Sequence, residues 1–312
     1  MTIHEHIEEF AGFKIQPYTA GSPLPAPPNY ALRLEIGWEA SENGESFEKL
    51  FAELLNDPIC EELQALIIGD WGETSTGNDS QPIVEALVNA RDKLPNLKAL
   101  FLGELTMEES EISWINQSDV SPLFEAFPNL EQFYVRGGNG LSLGRPRHAR
   151  LQRLVIETGG MSAELVREVT SAELPALEHL ELWLGDDGYG NNIRSDDISS
   201  LLSTGPVAKL RYLGLRDDCN ADETAQLLAR QGIPESVEVL DLSMGILTDV
   251  GATALAESNW ISSLKKLDIH FHYVSPAVVE RLNGLVTELD ASDHQEGDED
   301  DGEVYRYVAV SE

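Results

Sequence analysis

A frame of three apolar residues, spaced LxxLxL, recurs ten times and restricts this chain to a repeat architecture. The clear copies are Leu63/Leu66/Ile68, Leu97/Leu100/Leu102, Leu130/Phe133/Val135, Leu151/Leu154/Ile156, Leu177/Leu180/Leu182, Leu210/Leu213/Leu215, Val237/Leu240/Leu242 and Leu264/Leu267/Ile269. Weaker copies, Ala31/Leu34/Ile36 and Val286/Leu289/Ala291, stand at the two ends of the series. First positions lie 21 to 34 residues apart. Periods of that size mark stacked units, each too small to bury its own apolar face. Within a frame the last two anchors are two residues apart, so they share one face of an extended strand.

Helical patterns occupy most of the intervals. The segments SFEKLFAELL, QPIVEALVNA, ELVREVT, DETAQLLAR and SPAVVERL carry apolar residues at helical spacing. Several open on a Ser or Asp suited to an N-cap. One strand and one helix per unit, stacked, predict an α/β solenoid with a parallel sheet on its concave side and helices on its convex side.

Residues 237–258, VEVLDLSMGILTDVGATALAES, carry the strongest family signal. The chain resembles a leucine-rich-repeat protein, and this stretch is similar to the ribonuclease-inhibitor-like subclass, with Leu247, Gly251, Ala254 and Leu255 matching in place. The resemblance runs from about residue 31 to 291 and implies a curved horseshoe of about ten repeats with caps at both ends. That family usually places Asn or Cys at the ninth repeat position, to bond the loop backbone. Here the position holds residues such as Trp71, Leu105, Asp218, Gly245 and His272. The irregular repeat lengths look more like bacterial leucine-rich-repeat proteins, some of them expected beside peptide-modifying enzymes.

The reading is of one domain over residues 1–312. Residues 1–29 form an N-terminal cap with a Pro-rich link, 30–292 the repeats, and 293–312 an acidic loop with a C-terminal strand. In the first part FAGFKIQPY reads as a short strand; in the last, VYRYVAV alternates and is expected to pair as the final edge strand.

Charge narrows the partners. The chain has 55 Asp and Glu against 21 Lys and Arg, a formal net charge of −34. It should repel nucleic acid and anionic membranes and attract basic partners. No apolar run is long enough to span a bilayer, and MTIHEHIEEF lacks the pattern of a signal peptide. With two cysteines, Cys60 and Cys219, no disulfide framework is expected, and a cytoplasmic location follows.

Function on such a scaffold belongs to its surface. The residue between the last two anchors of each frame should face out on the concave sheet. That row reads Glu35, Ile67, Phe101, Tyr134, Val155, Glu181, Gly214, Asp241, Asp268, Asp290, apolar in its first half and acidic in its second. The next row includes Gly37, Gly69, Gly103, Trp183, Arg216 and His270, and its glycines should leave a trough beside Ile67 and Phe101. In the functional reading Phe101, Tyr134 and Trp183 anchor a protein or peptide, with Ile67 and Val155 in the same apolar half. The ladder of Asp241, Asp268 and Asp290 steers its basic end, while Glu181, Arg216 and His270 line the same concave face. In the bland reading, loops 105–117 or 137–149 fold over the apolar residues.

Signals for catalysis are sparse. Asp268, His270 and His272 alternate and could face one side, but no further ligand completes a metal site. The glycines of GGNGLSLGRPR lack the GK[ST] of a phosphate loop. The basic island Arg145, Arg147, His148, Arg150, Arg153 has internal pairing with acidic loops as its bland account and an anion contact as the sharper one. The expectation is a non-enzymatic binding scaffold without cofactor or metal. The alternative is an accessory subunit presenting a substrate peptide to a separate modifying enzyme; a metal-dependent hydrolase is a remote third.

Overall fold

A computed structural model describes residues 3–72, 74 and 77–311, leaving aside the side chains of Trp38 and Glu39; the outer limits of the expected domain, 1–2 and 312, lie outside it. The chain divides into two compact units, residues 3–156 with 173–176 and residues 157–172 with 177–311.

The first unit carries β1 (Glu9–Phe10), β2 (Phe13–Pro17), β3 (Ala31–Leu34), β4 (Ala65–Ile68), β5 (Ala99–Leu102), β6 (Gln132–Arg136) and β7 (Arg153–Glu157), whose last residue belongs to the second unit. Sheet order follows chain order. β1 is antiparallel to β2, and β2 to β6 run parallel. Helices α1 (Gly37–Glu42), α2 (Phe47–Leu54), α3 (Gln81–Asn89) and α4 (Ser121–Ala126) connect the strands.

The second unit opens with α5 (Ala163–Thr170). Parallel strands β8 (His179–Gly185), β9 (Tyr212–Asp218), β10 (Val239–Asp241), β11 (Lys266–Asp268) and β12 (Glu288–Asp290) then lie in chain order. Helices α6 (Ser195–Thr204), α7 (Ala221–Gln231), α8 (Asp249–Glu257) and α9 (Pro276–Asn283) separate them. Each unit is α/β, with a parallel sheet and a helix after most strands, the arrangement expected of leucine-rich repeats. No helix among the described residues is long and apolar enough to cross a membrane.

Register explains why the frame recurs. Leu32, Leu66, Leu100 and Phe133 are successive partners in the first unit, and Leu180, Leu213, Leu240, Leu267 and Leu289 in the second. Leu66, Leu100, Leu154, Leu180, Leu213, Leu240 and Leu267 are wholly buried. The five helical segments expected from spacing form α2, α3, α5, α7 and α9. Ser46 caps α2 by accepting the Lys49 N–H, and Ser162 caps α5 by accepting that of Leu165. Polar α6 was missed by pattern; it holds through buried Ile198, Leu201 and Leu202 and through Asp197, which accepts the Arg194 N–H.

Two expectations about the ends are corrected. Pairing of Leu32 with Leu66 shifts the first frame by two residues, so Arg33, not Glu35, stands beside Ile67. Nor does the C-terminal stretch extend the parallel sheet. Strands β13 (Asp298–Asp300) and β14 (Glu303–Tyr305) form a separate exposed hairpin, and the following residues return across loops. There Tyr307 N–H donates to the Tyr273 hydroxyl (3.0 Å), Ala309 N–H to Met244 O (2.8 Å) and Val310 N–H to Asp217 Oδ1 (2.9 Å).

Those loops share one backbone device. Asp217, Met244, Phe271 and Asp293, each four residues beyond a ladder leucine, have φ of 56°, 70°, 58° and 60°. A left-handed residue breaks the pleat, so the next side chain turns inward instead of outward. Asp218 and His272 are buried by this turn. Asp218 accepts the Asn220 N–H (2.8 Å) and the Thr224 hydroxyl (2.6 Å). His272 Nδ1 accepts the Val274 N–H (2.9 Å), which leaves Nε2 to donate to Ala291 O (3.1 Å). An aspartate and a histidine thus bond the loop backbone where the resemblance implied Asn or Cys.

Replacing Leu213 or Leu240 with Ala should cost roughly 2–5 kcal/mol in denaturant unfolding, as for other fully packed leucines. A second expectation concerns pH. Burial pushes the Asp218 carboxyl up to about 6, against the hydrogen bonds from Thr224 and Asn220. Its folded value exceeds the unfolded one, so its contribution is full below about pH 4 and is lost as pH rises through 6. Asp218→Asn should therefore flatten the melting temperature between pH 4 and 7, removing up to about 3 kcal/mol of dependence.

Candidate functional site

Alternation along each strand turns the residues between ladder positions to the sheet face away from the helices. In the first unit that face is already occupied. Phe10 lies 5.9 Å from Phe101 and 5.2 Å from Tyr134, ring centre to ring centre, the latter edge-on. Phe10 joins Ala31, Ala65, Ile67, Ala99 and Phe101 in one buried cluster, flanked by Ile7, Ala11, Phe13, Ile15 and Tyr134. The trough comes from the alanines that directly precede the ladder, not from the glycines. Gly69 faces Arg33 and Glu35, and Gly103 turns the chain at φ 84° against Arg136 O. Ile67 and Phe101 are consequently buried rather than exposed anchors, Val155 is buried as well, and Tyr134 is half-buried. The cover over Ile67 and Phe101 comes from residues within 7–15, upstream of the loops that the sequence suggested.

A polar clasp fixes this cover. Buried Glu104 accepts the Ile7 N–H at 3.1 Å and bonds the Arg33 guanidinium, while Arg33 also donates to Glu104 O at 3.1 Å. His6 stands 3.2 Å from Glu104 and 3.4 Å from Glu109. Burial opposes ionisation of Glu109, but its bond to His6 and those from Thr106 hold its carboxyl below the usual range. The Met107 N–H closes the clasp on Ile3 O at 2.8 Å.

The second unit presents a polar face. Glu181 accepts from the Trp183 indole N–H (2.9 Å) and Arg216 (2.6 Å), with His179 3.2 Å away. Burial alone would raise its carboxyl; these donors overcome burial and bring it to about 2. The Arg216 guanidinium covers the Trp183 ring at 5.2 Å, donates to Ser243 Oγ at 2.9 Å and lies 3.4 Å from Asp241. Tyr212 stacks on His179 at 3.9 Å and donates its hydroxyl to Asp241 at 2.6 Å. Trp183, Glu181 and Asp241 are therefore buried inside one network, and Trp183 is not an open anchor. His179 and Tyr212 were missed; counting two residues back from Glu181 and Gly214 along the pleat would have reached both.

Further along the sheet, Lys266 reaches Asp268 at 2.9 Å, Glu288 at 3.8 Å and Asp290 at 3.9 Å. Asp268 also pairs with His270 Nδ1 at 2.7 Å. Here too burial is overcome, by His270 and Lys266, and the Asp268 carboxyl falls to about 2. Asp290 is bonded by Ser292 and stays partly exposed. His272 does not join Asp268 and His270, because left-handed Phe271 turns it into the loop. Ligand atoms of Asp268, His270 and Asp290 do lie within 4.8 Å of one another, but Lys266 already supplies these carboxylates with a cation.

The basic island is paired within its own unit. Arg145 and Arg147 reach Glu173 at 3.4 and 3.0 Å, Arg150 donates to Asn129 at 2.8 Å, and Arg153 donates to the Tyr134 hydroxyl at 2.9 Å. His148 is buried against Phe127 O, and burial lowers its pKa.

No family model and no curated protein matches the chain. Among solved structures, a Bacteroides fragilis protein determined by the Northeast Structural Genomics Consortium superposes with a TM-score of 0.77 at 30% identity, over 85% of this chain and 74% of its own. An internalin from Listeria monocytogenes aligns at a TM-score of 0.30 and 13% identity, over 76% of each chain, too distant to carry weight.

The depressed carboxyls set an acid limit. Their folded values lie below the unfolded ones, so their stabilisation is present above about pH 4.5 and is lost as pH falls toward 2. For Glu181 this is up to about 3 kcal/mol. Glu181→Gln should melt lower than the wild type at pH 7 and lose less between pH 5 and pH 3, as followed by calorimetry.

Proposed function

The chain belongs to the family of the Bacteroides fragilis protein, and we propose that it is a non-enzymatic scaffold gripping a protein or peptide with a basic segment. The observation that carries this reading is the surplus of acid around Lys266: three carboxylates surround one ammonium, and the outermost, Glu288 and Asp290, are accessible. Charges at such a rim steer approach more than they set affinity.

The finer form of the reading is one leucine-rich-repeat domain over 1–312 with about ten repeats and caps, ribonuclease-inhibitor-like around Leu247 and Gly251, bacterial and cytoplasmic. The second unit's half of the row, toward Asp268, His270 and Asp290, is the partner surface. Glu181, Trp183, Arg216 and Asp241 support it from beneath as a fixed network.

The test is surface binding kinetics of a lysine- and arginine-rich peptide library against the wild type and a Glu288→Gln/Asp290→Asn variant. The variant should associate several-fold more slowly at low salt, and the difference should shrink near 0.1 M, where screening limits such fields to about 10 Å. Equal rates at both salt concentrations would move the partner surface elsewhere.

A further inference from the structure

The cover on the first unit is itself a bound peptide in form. Residues 3–10 lie against the sheet through Phe10 and Ile7, through the clasp at Arg33, Glu104 and Glu109, and through the hairpin to β2, where the Ile15 N–H donates to Glu8 O (3.2 Å). Phe10 and half-buried Ile7 enter the apolar trough, while His4, Glu5, His6, Glu8 and Glu9 are exposed. The Ile7 N–H is held by a side chain, Glu104, and Ile3 by one backbone bond from Met107. Strand β1 is only two residues long and pairs with β2 alone.

A hinge adjoins it. Ala11 and Gly12 have φ of 52° and 79°. Two successive left-handed residues make the tight hairpin turn, and alanine holds that conformation at a cost that glycine does not bear. Rotation there would free residues 3–10 without touching a ladder leucine. It would uncover Ile67, Phe101 and Tyr134 beside the charged rim of Arg33, Glu104 and Glu109. A contiguous apolar patch of this kind marks an interaction site.

The occupant in place states the chemistry. His6 faces Glu104 and Glu109 and lies 3.3 Å from Arg33; Ile7 follows at once; Phe10 comes three residues later, packed on the touching rings of Phe101 and Tyr134. We propose that the first unit's helix-free face is a peptide-binding groove held in cis by residues 3–10, and that it takes in trans an extended partner segment with an imidazole or cationic side chain, an aliphatic residue directly after it and an aromatic residue three positions further on. Residues 3–10 swing out about Ala11–Gly12 to admit it. The groove needs nothing from the acidic face around Lys266, so either reading can fail without the other.

The experiment uses the full chain. In native-state hydrogen exchange of the wild type, the Ile7 and Met107 amides should exchange at least about 100-fold faster than those of β4 and β5, reporting a local opening. An acetylated peptide of residues 3–10 should bind the Phe10→Ala chain and protect its Met107 amide. It should bind the wild type at least about tenfold more weakly, because the cis segment competes. The same peptide carrying Phe10→Ala should bind neither. Exchange of Ile7 and Met107 only through global unfolding would overturn the proposal, as would a folded Phe10→Ala chain that takes no peptide. A wild-type dimer that separates on Phe10→Ala would assign the groove to a second copy and overturn it too. If Phe10→Ala does not fold, the wild-type exchange rates decide alone.

Discussion

Parallel pairing with one fully buried side chain at every second strand position is the constraint from which the other features follow. Once Leu66 is locked against Leu100, or Leu213 against Leu240, the residues between them have only one other face to occupy. A slip of one residue would bury Asp241 and Asp268 among leucines and expose the ladder. Burial of the ladder therefore determines which polar groups meet on the opposite face, long before any partner is involved.

How those groups are handled differs between the units. The first covers an apolar face with residues 7–15 and buries Arg33 with Glu104 as a clasp, which exposed His6 closes from outside. The second keeps a polar face and satisfies it sideways. Arg216 on β9 alone meets Glu181, Trp183, Asp241 and Ser243, contacts that come from the two flanking strands β8 and β10 and from the end of β10. A half-buried arginine in this position is a strut: removing it would leave the buried carboxylates of Glu181 and Asp241 without their partner. On the face around Lys266, the acid that such contacts leave accessible is Glu288 and Asp290.

The left-handed residues after the strands give the loops a common grammar. Asp217, Met244, Phe271 and Asp293 turn the chain at the same point, and the side chains that follow Asp217 and Phe271, Asp218 and His272, are carried inward. That one device explains why Asp218 and His272 bond loop backbone, why His272 is lost to the row of Asp268 and His270, and why the returning C-terminal residues find Met244 O and Asp217 to bond.

The sequence by itself determined the ladder, most of the helices and the rows of outward positions, because each depends on spacing within about ten residues of one strand. It also contained the charge surplus, which is a sum over the chain. Only the tertiary structure decided which outward residues remain available. Phe10 over Ile67 and Phe101 joins residues some 60 to 90 positions apart, and no local period encodes that contact. Arg33 replaced Glu35 beside Ile67 because pairing with β4, not the spacing within residues 31–36, sets the register of β3. Trp183 and Asp241 were legible as outward-facing but not as spent, since their partner Arg216 sits on a neighbouring strand. Period fixes direction along a strand; what a side chain meets there depends on which distant segment is folded against it.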